Sequence, residues 1–296
     1  MSKKIKLTGQ EAFEKHYGEL FDLRWEKLKQ ALEGQNVYAK IQWENQSEYF
    51  LDPASICAAL TLPVSSAGKI LDMCAAPGGK TLVLSACKKS DAVLYSNERS
   101  PERKARLVKV VTQTLPPEIS SSVFTMCSDG ALMCKKESES YDAILLDAPC
   151  SSERHVLADM KYLKEWTPSR IKTLSMEQWA LISSAWRLLK ENGFLLYATC
   201  ALSPQENDMI IQRLAKKFPQ AYIPSQQETD EVFSTNLSAL EKILKLPFTQ
   251  EETASYIQKI FFSADKTQFG RHILPDKASG CGPLYFSLIK KLPEVN

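Results

Sequence analysis

Hydrophobic positions recur at helical spacing near the start of the chain. They are Phe13, Tyr17, Leu20, Phe21, Trp25, Leu28 and Leu32. Because residues three and four apart share one face of a helix, the pattern predicts an amphipathic helix over 10–33, with Gly34 at its C-terminal cap. The aromatic side chains on this face are expected to pack against a core.

From about residue 69 the pattern changes to short apolar runs, which alternate with longer helical stretches. The runs end at an Asp, an Asn or a Gly/Pro turn and lie at 69–73, 92–97, 123–127, 142–147 and 193–199. The helical stretches lie at 79–88, 100–113, 168–191 and 204–218. Strands that alternate with helices form a mostly parallel sheet with helices on both faces. The predicted fold class is therefore α/β, with a doubly wound, Rossmann-like sheet.

The last quarter of the chain predicts a different arrangement. The segment 224–256 is rich in Gln, Glu, Thr and Ser and is interpreted as a connecting excursion with a helical piece at 237–245. Two apolar stretches follow, at 257–263 and 283–289. They are predicted to form a hairpin-like pair that closes the sheet with an antiparallel C-terminal strand.

Composition excludes several classes of protein. The chain has 296 residues, 44% of them hydrophobic and 24% charged, which is close to the average of globular proteins. The sequence contains no run of 18 apolar residues, so no membrane span is predicted. The basic start, Met1–Lys6, is followed by no apolar segment and is expected to be a short tail on a cytoplasmic protein. The eight cysteines contain no C-x-x-C pair, so free thiols and no zinc site are expected.

A net charge of +2 is low for a nucleic-acid binder, so any positive binding surface has to be local. The candidate clusters are Lys3/Lys4/Lys6, Arg99/Arg103/Lys104/Arg106/Lys109 and Arg154/His155/Lys161/Lys164. Each cluster alone is better interpreted as a solvated helix face.

The first candidate site is the glycine-rich segment LDMCAAPGGKT, which covers residues 71–81 at the end of the first predicted strand. Its end matches a phosphate-binding loop, but Cys74 stands where that loop requires its first Gly. The dinucleotide pattern G-x-G-x-x-G is also absent. A glycine-rich loop that opens a helix and matches neither template suits a cofactor with an amino-acid tail and an adenosine, such as S-adenosylmethionine.

Further candidates stand at successive strand ends. Ligands of doubly wound sheets bind at the carboxyl ends of the strands. The residues there are Asp72, Glu98, Asp129, Asp147 and Cys200. A carboxylate at Glu98 is placed to accept ribose hydroxyls, and Asp129-Gly130 is placed near an adenine. Each acid alone is equally typical of a strand-end turn.

Two cysteines follow adjacent strands, in Asp147-Ala148-Pro149-Cys150 and in Thr199-Cys200. Thiolates are strong nucleophiles, so one of the two is expected to attack a substrate. The chemistry alone leaves open which one does. The other cysteines are expected to be small buried hydrophobes: Cys57, Cys87, Cys127, Cys134 and Cys281.

Three motifs carry a family resemblance. AAPGGKT at 75–81, DAPCSS at 147–152 and YATCALSPQEN at 197–207 resemble the RsmB/NSUN family of RNA cytosine-C5 methyltransferases, and the ending at 271–286 resembles its final motif. The likeness runs from about residue 46 to the C-terminus. It implies a class I methyltransferase fold, with residues 1–45 as an N-terminal helical extension and 46–296 as the catalytic domain that binds S-adenosylmethionine.

The resemblance also implies a role for each site residue. Cys200 is the nucleophile, Cys150 assists product release or proton removal, Asp147 holds the base edge and borders the methyl donor, and Lys80 lies near the base or the thiolate. The residues expected to bind the cofactor are Cys74, Ala75, Ala76, Pro77, Gly78, Gly79, Lys80, Glu98, Arg103, Asp129, Gly130 and Asp147. Many family members have Gly where this chain has Ser152. Ser203-Pro204-Gln205-Glu206 has the form of a helix capping box, and Glu206-Asn207 is expected to fix the loop that aims Cys200.

The expected activity is transfer of a methyl group to a cytosine of RNA, with ribosomal RNA favoured over transfer RNA. Because the target base must be unstacked, a loop or single strand is the expected substrate. A monomer is expected, with targeting by its own surface or by a partner protein. The alternatives are a methyltransferase of this fold that acts on DNA or protein, and an idle RNA-binding or ribosome-assembly factor.

Overall fold

A computed structural model describes residues 8–245 and 250–294, so the basic tail with Lys3, Lys4 and Lys6 lies outside the described residues. The helices are α1 Gly9–Phe21, α2 Trp25–Glu33, α3 Pro53–Leu60, α4 Gly79–Cys87, α5 Pro101–Thr114, α6 Pro117–Ser120, α7 Gly130–Met133, α8 Glu153–Ala158, α9 Met160–Lys164, α10 Ser169–Leu188, α11 Asp208–Lys217, α12 Gln226–Leu240 and α13 Gln250–Phe262, with 3-10 turns at Asp22–Arg24 and Glu241–Ile243. The strands are β1 Ala39–Ile41, β2 Tyr49–Leu51, β3 Lys69–Asp72, β4 Val93–Asn97, β5 Val123–Met126, β6 Tyr141–Asp147, β7 Leu189–Thr199, β8 Ala221–Tyr222, β9 Leu244–Lys245, β10 Asp265–Lys266, β11 Arg271–Ile273 and β12 Leu284–Lys291.

The main sheet has the strand order β10-β11-β12-β7-β6-β3-β4-β5. Strands β3 to β7 are parallel to one another, whereas β12 is antiparallel to both β7 and β11. Residues 143–146 of β6 are all buried, as expected for a strand with helices on both faces of the sheet. The predicted α/β class, with its mostly parallel sheet and antiparallel C-terminal strand, is confirmed. A smaller sheet has the order β2-β1-β9.

The prediction of a strand at 257–263 is wrong. Residues 257–262 belong to α13, because Ile257, Ile260 and Phe261 are spaced for one helical face and are all buried on it. On the edge away from β7, β12 pairs instead with the short β11. The other predicted strand, 283–289, is present as β12.

The excursion between β8 and β9 is more helical than the sequence predicted. Helix α12 begins at Gln226, where Ser225 and Glu228 form a reciprocal capping box. It ends at Leu240 and so covers only the first part of the predicted helical piece at 237–245. Helix α11 begins at Asp208, four residues later than predicted, and β7 begins within the predicted helix 168–191.

Three groups of buried side chains hold the layers together. One lies between the sheet and α3, α4, α12 and α13, and a second lies on the opposite face beneath α10 and α11. The third joins the predicted N-terminal helix to the rest of the chain: Phe13, Tyr17, Trp25, Leu28 and Leu32 pack with Val156, Leu163, Trp166, Ile171, Leu202 and Leu274. The predicted helix is interrupted at Asp22, where φ is +47°, and Gly34 caps its C-terminal end as expected.

None of the helices within 8–245 and 250–294 combines the length and the hydrophobicity that a membrane span requires.

Candidate active site

The carboxyl ends of β3, β4, β6 and β7 lie at one edge of the sheet, as parallel pairing requires. The loops that follow these strands carry the predicted site residues to two neighbouring clefts. The first cleft has a volume of about 310 Å³ and is lined by Cys74, Ala76, Glu98, Arg103, Asp129 and Gly130, among others. The second has a volume of about 470 Å³ and is lined by Asp52, Ser55, Lys80, Arg154, His155 and Gly282, among others. Asp147, Ser152 and Cys200 line both clefts.

Glu98 gives the first cleft a buried hydrogen-bond acceptor. Its Oε1 accepts from the backbone N–H of Ser100 at 2.9 Å. Its Oε2 receives no hydrogen bond from the described residues, although Nη1 of Arg103 lies 3.3 Å away as an ion-pair partner. Buried carboxylate oxygens are normally satisfied by donors, so this oxygen fits a ligand hydroxyl such as those of a ribose.

Asn97 organises the same cleft, and the sequence analysis missed it. Its Nδ2 donates to the carbonyl oxygens of Met73 at 3.0 Å and Ser128 at 2.9 Å, and its Oδ1 accepts from the N–H of Ser128 at 2.9 Å. This amide therefore joins the loops that follow β3, β4 and β5. The only signal in the sequence was a polar side chain directly before Glu98.

The glycines of the predicted loop are required by packing. Gly78 has φ of +122°, and a Cβ there would lie 2.9 Å from Cγ1 of Val110. A Cβ on Gly79 would lie 2.6 Å from Cδ1 of Leu51. Helix α4 therefore begins closely packed between α5 and β2. Direct contact of Ala75, Pro77, Gly78 and Gly79 with a cofactor stays a prediction.

Lys80 extends from α4 into the second cleft and forms an ion pair with Asp147. Its Nζ lies 2.7 Å from Oδ2 of Asp147 and donates to Oγ of Ser55 at 3.2 Å. Burial alone lowers the pKa of Lys80, but the negative charge and hydrogen bond of Asp147 outweigh burial and leave the pKa raised. A cation is thus held at the boundary of the two clefts.

Cys150 and Cys200 face each other across the ends of β6 and β7. Their sulfur atoms lie 2.8 Å apart, and both are free thiols. The hydrogen bond with Cys200, together with burial, raises the pKa of the Cys150 thiol well above its usual range. A pKa raised in this direction keeps the Cys150 thiol protonated.

A buried carboxyl pair supports the two cysteine loops. Oγ of Ser151 bonds both Glu153 and Glu206, whose Oε2 lies 2.5 Å away. Tyr17 donates to Glu153, and Gln178 donates to Glu206 at 2.9 Å. Burial raises the pKa of Glu153, and it raises that of Glu206 to about 7. One end of this network follows Cys150, and the other follows Cys200.

The predicted capping box at Ser203–Glu206 is wrong, because α11 begins only at Asp208 and the Glu206 carboxylate bonds Ser151 instead. The expectation that Glu206 and Asn207 fix the Cys200 loop is consistent with their contacts. Oδ1 of Asn207 accepts from Thr199 at 2.6 Å, and its Nδ2 donates to the carbonyl of Ala201 at 2.9 Å.

Three further expectations need correction. Cys127 is exposed in the loop after β5, and Cys134 is half-buried, so neither belongs with the buried Cys57, Cys87 and Cys281. Arg154 is not free to bind a phosphate. Its guanidinium donates to the carbonyl oxygens of Ala31, Leu32 and Gly280 and so holds the end of α2 against the second cleft.

The doubly wound sheet with its antiparallel C-terminal strand defines the class as a Rossmann-like methyltransferase fold. A crystal structure of a methyltransferase homologue from Pyrococcus horikoshii superposes with a TM-score of 0.65 at 20% identity, over 95% of this chain and 94% of that one. Residues 59–261 match the family described as 16S rRNA methyltransferase RsmB/F. The chain therefore belongs to the RsmB/F family, which confirms the resemblance found in the motifs.

Two curated relatives match most of the chain. The tRNA (cytosine(34)-C(5))-methyltransferase, mitochondrial, of Danio rerio is 28% identical over 82% of this chain and 60% of its own length. The 5-cytosine rRNA methyltransferase NSUN4 of Mus musculus is 28% identical over 83% of this chain and 60% of its own length. The chain thus spans about three-fifths of the length of these relatives.

Proposed function

We propose that the chain transfers a methyl group from S-adenosylmethionine to C5 of a cytosine in RNA, with Cys200 as the nucleophile. The observation that carries this proposal is the position of Cys200 on the wall that both clefts share. A nucleophile placed there reaches a base in one cleft while the methyl donor lies in the other.

The first cleft fits the cofactor. S-adenosylmethionine supplies an electrophilic methyl group on a sulfonium. The acceptor oxygen of Glu98 suits its ribose, and Arg103 supports that carboxylate while donating to the carbonyl of Ala76 at 2.9 Å. Asp129 and Gly130 line the part of the cleft predicted for the adenine, and Cys74 and Ala76 line the part predicted for the methionine.

The second cleft suits the target base. Cytosine C5 is a weak nucleophile until the Cys200 thiolate adds to C6, which makes C5 enamine-like. Once C5 carries the methyl group, its proton is lost to a base, and the C6–S bond breaks to return the Cys200 thiolate and the aromatic ring. Lys80 stabilises the thiolate electrostatically, and Asp147 binds the polar edge of the base.

The raised pKa of Cys150 supports the assignment of Cys200 as the attacking sulfur. With its raised pKa, Cys150 holds a proton 2.8 Å from the Cys200 sulfur and is placed for the later proton transfer or product release. The ion pair between Lys80 and Asp147 supports their roles beside the reacting base.

The substrate is proposed to be an unstacked cytosine in ribosomal RNA, bound by a monomer or with a targeting partner. The family description and the name of the mouse relative favour ribosomal RNA, whereas the zebrafish relative is named for transfer RNA. A cytoplasmic location stays a prediction, since the zebrafish relative is named as mitochondrial.

The test is methyl transfer in vitro. The protein is incubated with labelled S-adenosylmethionine and total RNA from cells that lack this gene, so that its target cytosines are unmethylated. We expect label in RNA, mapping to 5-methylcytosine in the ribosomal fraction, with none for Cys200→Ala. Label in DNA or protein instead of RNA would overturn the substrate proposal. Tight RNA binding without any transfer would indicate an RNA-binding or assembly factor.

A further inference from the structure

Ser152 occupies an unusual position beside the two cysteines. Its Oγ lies 3.1 Å from Sγ of Cys200 and 3.5 Å from Sγ of Cys150. It precedes α8, yet its side chain makes no capping hydrogen bond to that helix. The hydroxyl also lies 3.5 Å from the carbonyl oxygen of Cys150, so the Cys200 sulfur is its nearest polar neighbour and none of its contacts caps the helix.

The backbone at Ser152 is left-handed, with φ of +54° and ψ of +59°. Glycine adopts this conformation without strain, whereas a residue with a Cβ does not. The surrounding contacts enforce the conformation from both sides, because the N–H of Ser151 donates to Glu206 at 3.0 Å and Glu153 accepts from the N–H of Leu202 at 3.0 Å. These contacts hold the Ser152 backbone in place and keep its hydroxyl beside the Cys200 sulfur.

We propose that Ser152 is a positioning residue, whose hydroxyl donates a hydrogen bond to the Cys200 sulfur and stabilises its thiolate form. The effect of Ser152 on methyl transfer rests on the proposed function. Its effect on the reactivity of the Cys200 thiol does not. Hydrogen bonds from a hydroxyl to an anion are stronger than those between neutral groups. The same bond holds the sulfur at the boundary of the clefts.

Other charged groups also face Cys200, and the substitutions used to test the proposal leave all of them unchanged. On its own side of the site these are Asp147 and Lys80, with Cys150 as the neighbouring thiol. Across the second cleft they are Asp52, Arg154 and His155. The change in reactivity caused by a substitution at Ser152 therefore reports on its hydroxyl and not on the titration of these groups.

The test is alkylation of Cys200 by iodoacetamide without RNA or cofactor, followed across pH by peptide mass spectrometry. Ser152→Ala removes the hydroxyl and keeps the strained backbone, whereas Ser152→Gly removes both the hydroxyl and the strain. We expect both variants to react about tenfold more slowly at pH 7, with the half-maximal pH about one unit higher. Ser279→Gly is the matched control, because Ser279 is an exposed serine with a similar φ of +52°, and it should react like the wild type.

If Cys200 in Ser152→Gly reacts as fast as in the wild type, the proposal is overturned, because the hydroxyl of Ser152 then has no effect on the thiol. This variant is expected to melt no lower than the wild type, so a folding defect does not obscure the result. In methyl-transfer assays, kcat should fall about tenfold in both variants while KM for RNA stays nearly constant. If the wild type transfers no methyl group, the proposed activity fails, and the alkylation profile still decides the role of Ser152.

Discussion

At the scale of single residues, the site combines groups that are costly to bury alone. Lys80 and Asp147 meet at 2.7 Å, and the Lys80 side chain is only 11% exposed. A buried ion pair adds little net stability, but removal of one partner leaves the other charge uncompensated. The pair is thus better explained by its place between the clefts than by its contribution to folding.

Lys80→Met should lower kcat for methyl transfer by about 100-fold, because it removes the cation beside the thiolate and the base. The matched control is Lys89→Met, which removes an exposed lysine shortly after the same helix. Steady-state kinetics with RNA and S-adenosylmethionine measure both variants. A Lys80→Met enzyme with wild-type kcat would remove Lys80 from the mechanism.

Glu98→Gln should weaken S-adenosylmethionine binding by about tenfold, because a neutral amide accepts a ribose hydroxyl less strongly than a carboxylate does. Isothermal titration calorimetry measures the Kd directly. Glu102→Gln, on the exposed face of α5, is the control and should bind normally. Equal affinities for the wild type and Glu98→Gln would mean that the ribose does not contact this carboxylate.

At the scale of elements, the carboxyl pair Glu153 and Glu206 links the turn after β6 to the turn after β7. The sequence showed Glu206 three residues after Ser203, which is the spacing of a capping box, and could not show that it bonds Ser151, 55 residues earlier. Local patterns identify strand ends well, because hydrophobic runs and turn residues are local. Long-range polar partners such as Tyr17 and Glu153 depend on packing that no local pattern encodes.

Glu206→Gln should change how stability depends on pH. Since burial raises the pKa of Glu206 from 4.5 to about 7, the folded chain holds more protons than the unfolded chain over this interval. The free energy of unfolding therefore falls as the pH rises from about 4.5 to 7. Buried Asp72, with a pKa raised to about 7, adds to the same trend.

Glu206→Gln should remove the part of this loss that is due to Glu206, which is on the order of 3 kcal/mol between the two ends of the interval. Denaturant titrations of the wild type and the variant at several pH values measure it. Glu118→Gln, at an exposed position, should keep the wild-type slope. Parallel curves for wild type and Glu206→Gln would show that the carboxyl titrates normally.

At the scale of the whole molecule, hydrophobic periodicity predicted the five parallel strands and the long helices α4, α5 and α10, together with the strand-end acids and cysteines. It did not predict the short helices α6 to α9, which have four to six residues each and are too short to show a helical period. Helix α13 was not predicted because the apolar residues at 257–262 are too few to distinguish a helix from a strand. The packing partners of α1 and α2 were also not predicted, because an amphipathic pattern shows that one face of a helix is buried but not which residues cover it.

Removal of residues 1–45 should prevent cooperative folding of the rest of the chain. The deletion would uncover Val156, Leu163, Trp166, Ile171, Leu202 and Leu274. At about 1.5–3 kcal/mol for each side chain, the loss is about 10 kcal/mol, which is comparable with the total stability of a domain. Thermal unfolding followed by circular dichroism tests this.

Leu23→Ala, at a residue that is 94% exposed in the same segment, should melt like the wild type. A fragment 46–296 with a sharp transition near that of the full chain would show that the extension is dispensable.

The proposed mechanism requires Cys200 to form a covalent bond with RNA, and this bond can be detected directly. Cys150→Ala is incubated with S-adenosylmethionine and target RNA, and the products are separated on a denaturing gel. We expect a protein–RNA adduct for Cys150→Ala and none for Cys200→Ala or for the double variant. An adduct that persists in Cys200→Ala, or in the double variant, would contradict the assignment of Cys200 as the nucleophile.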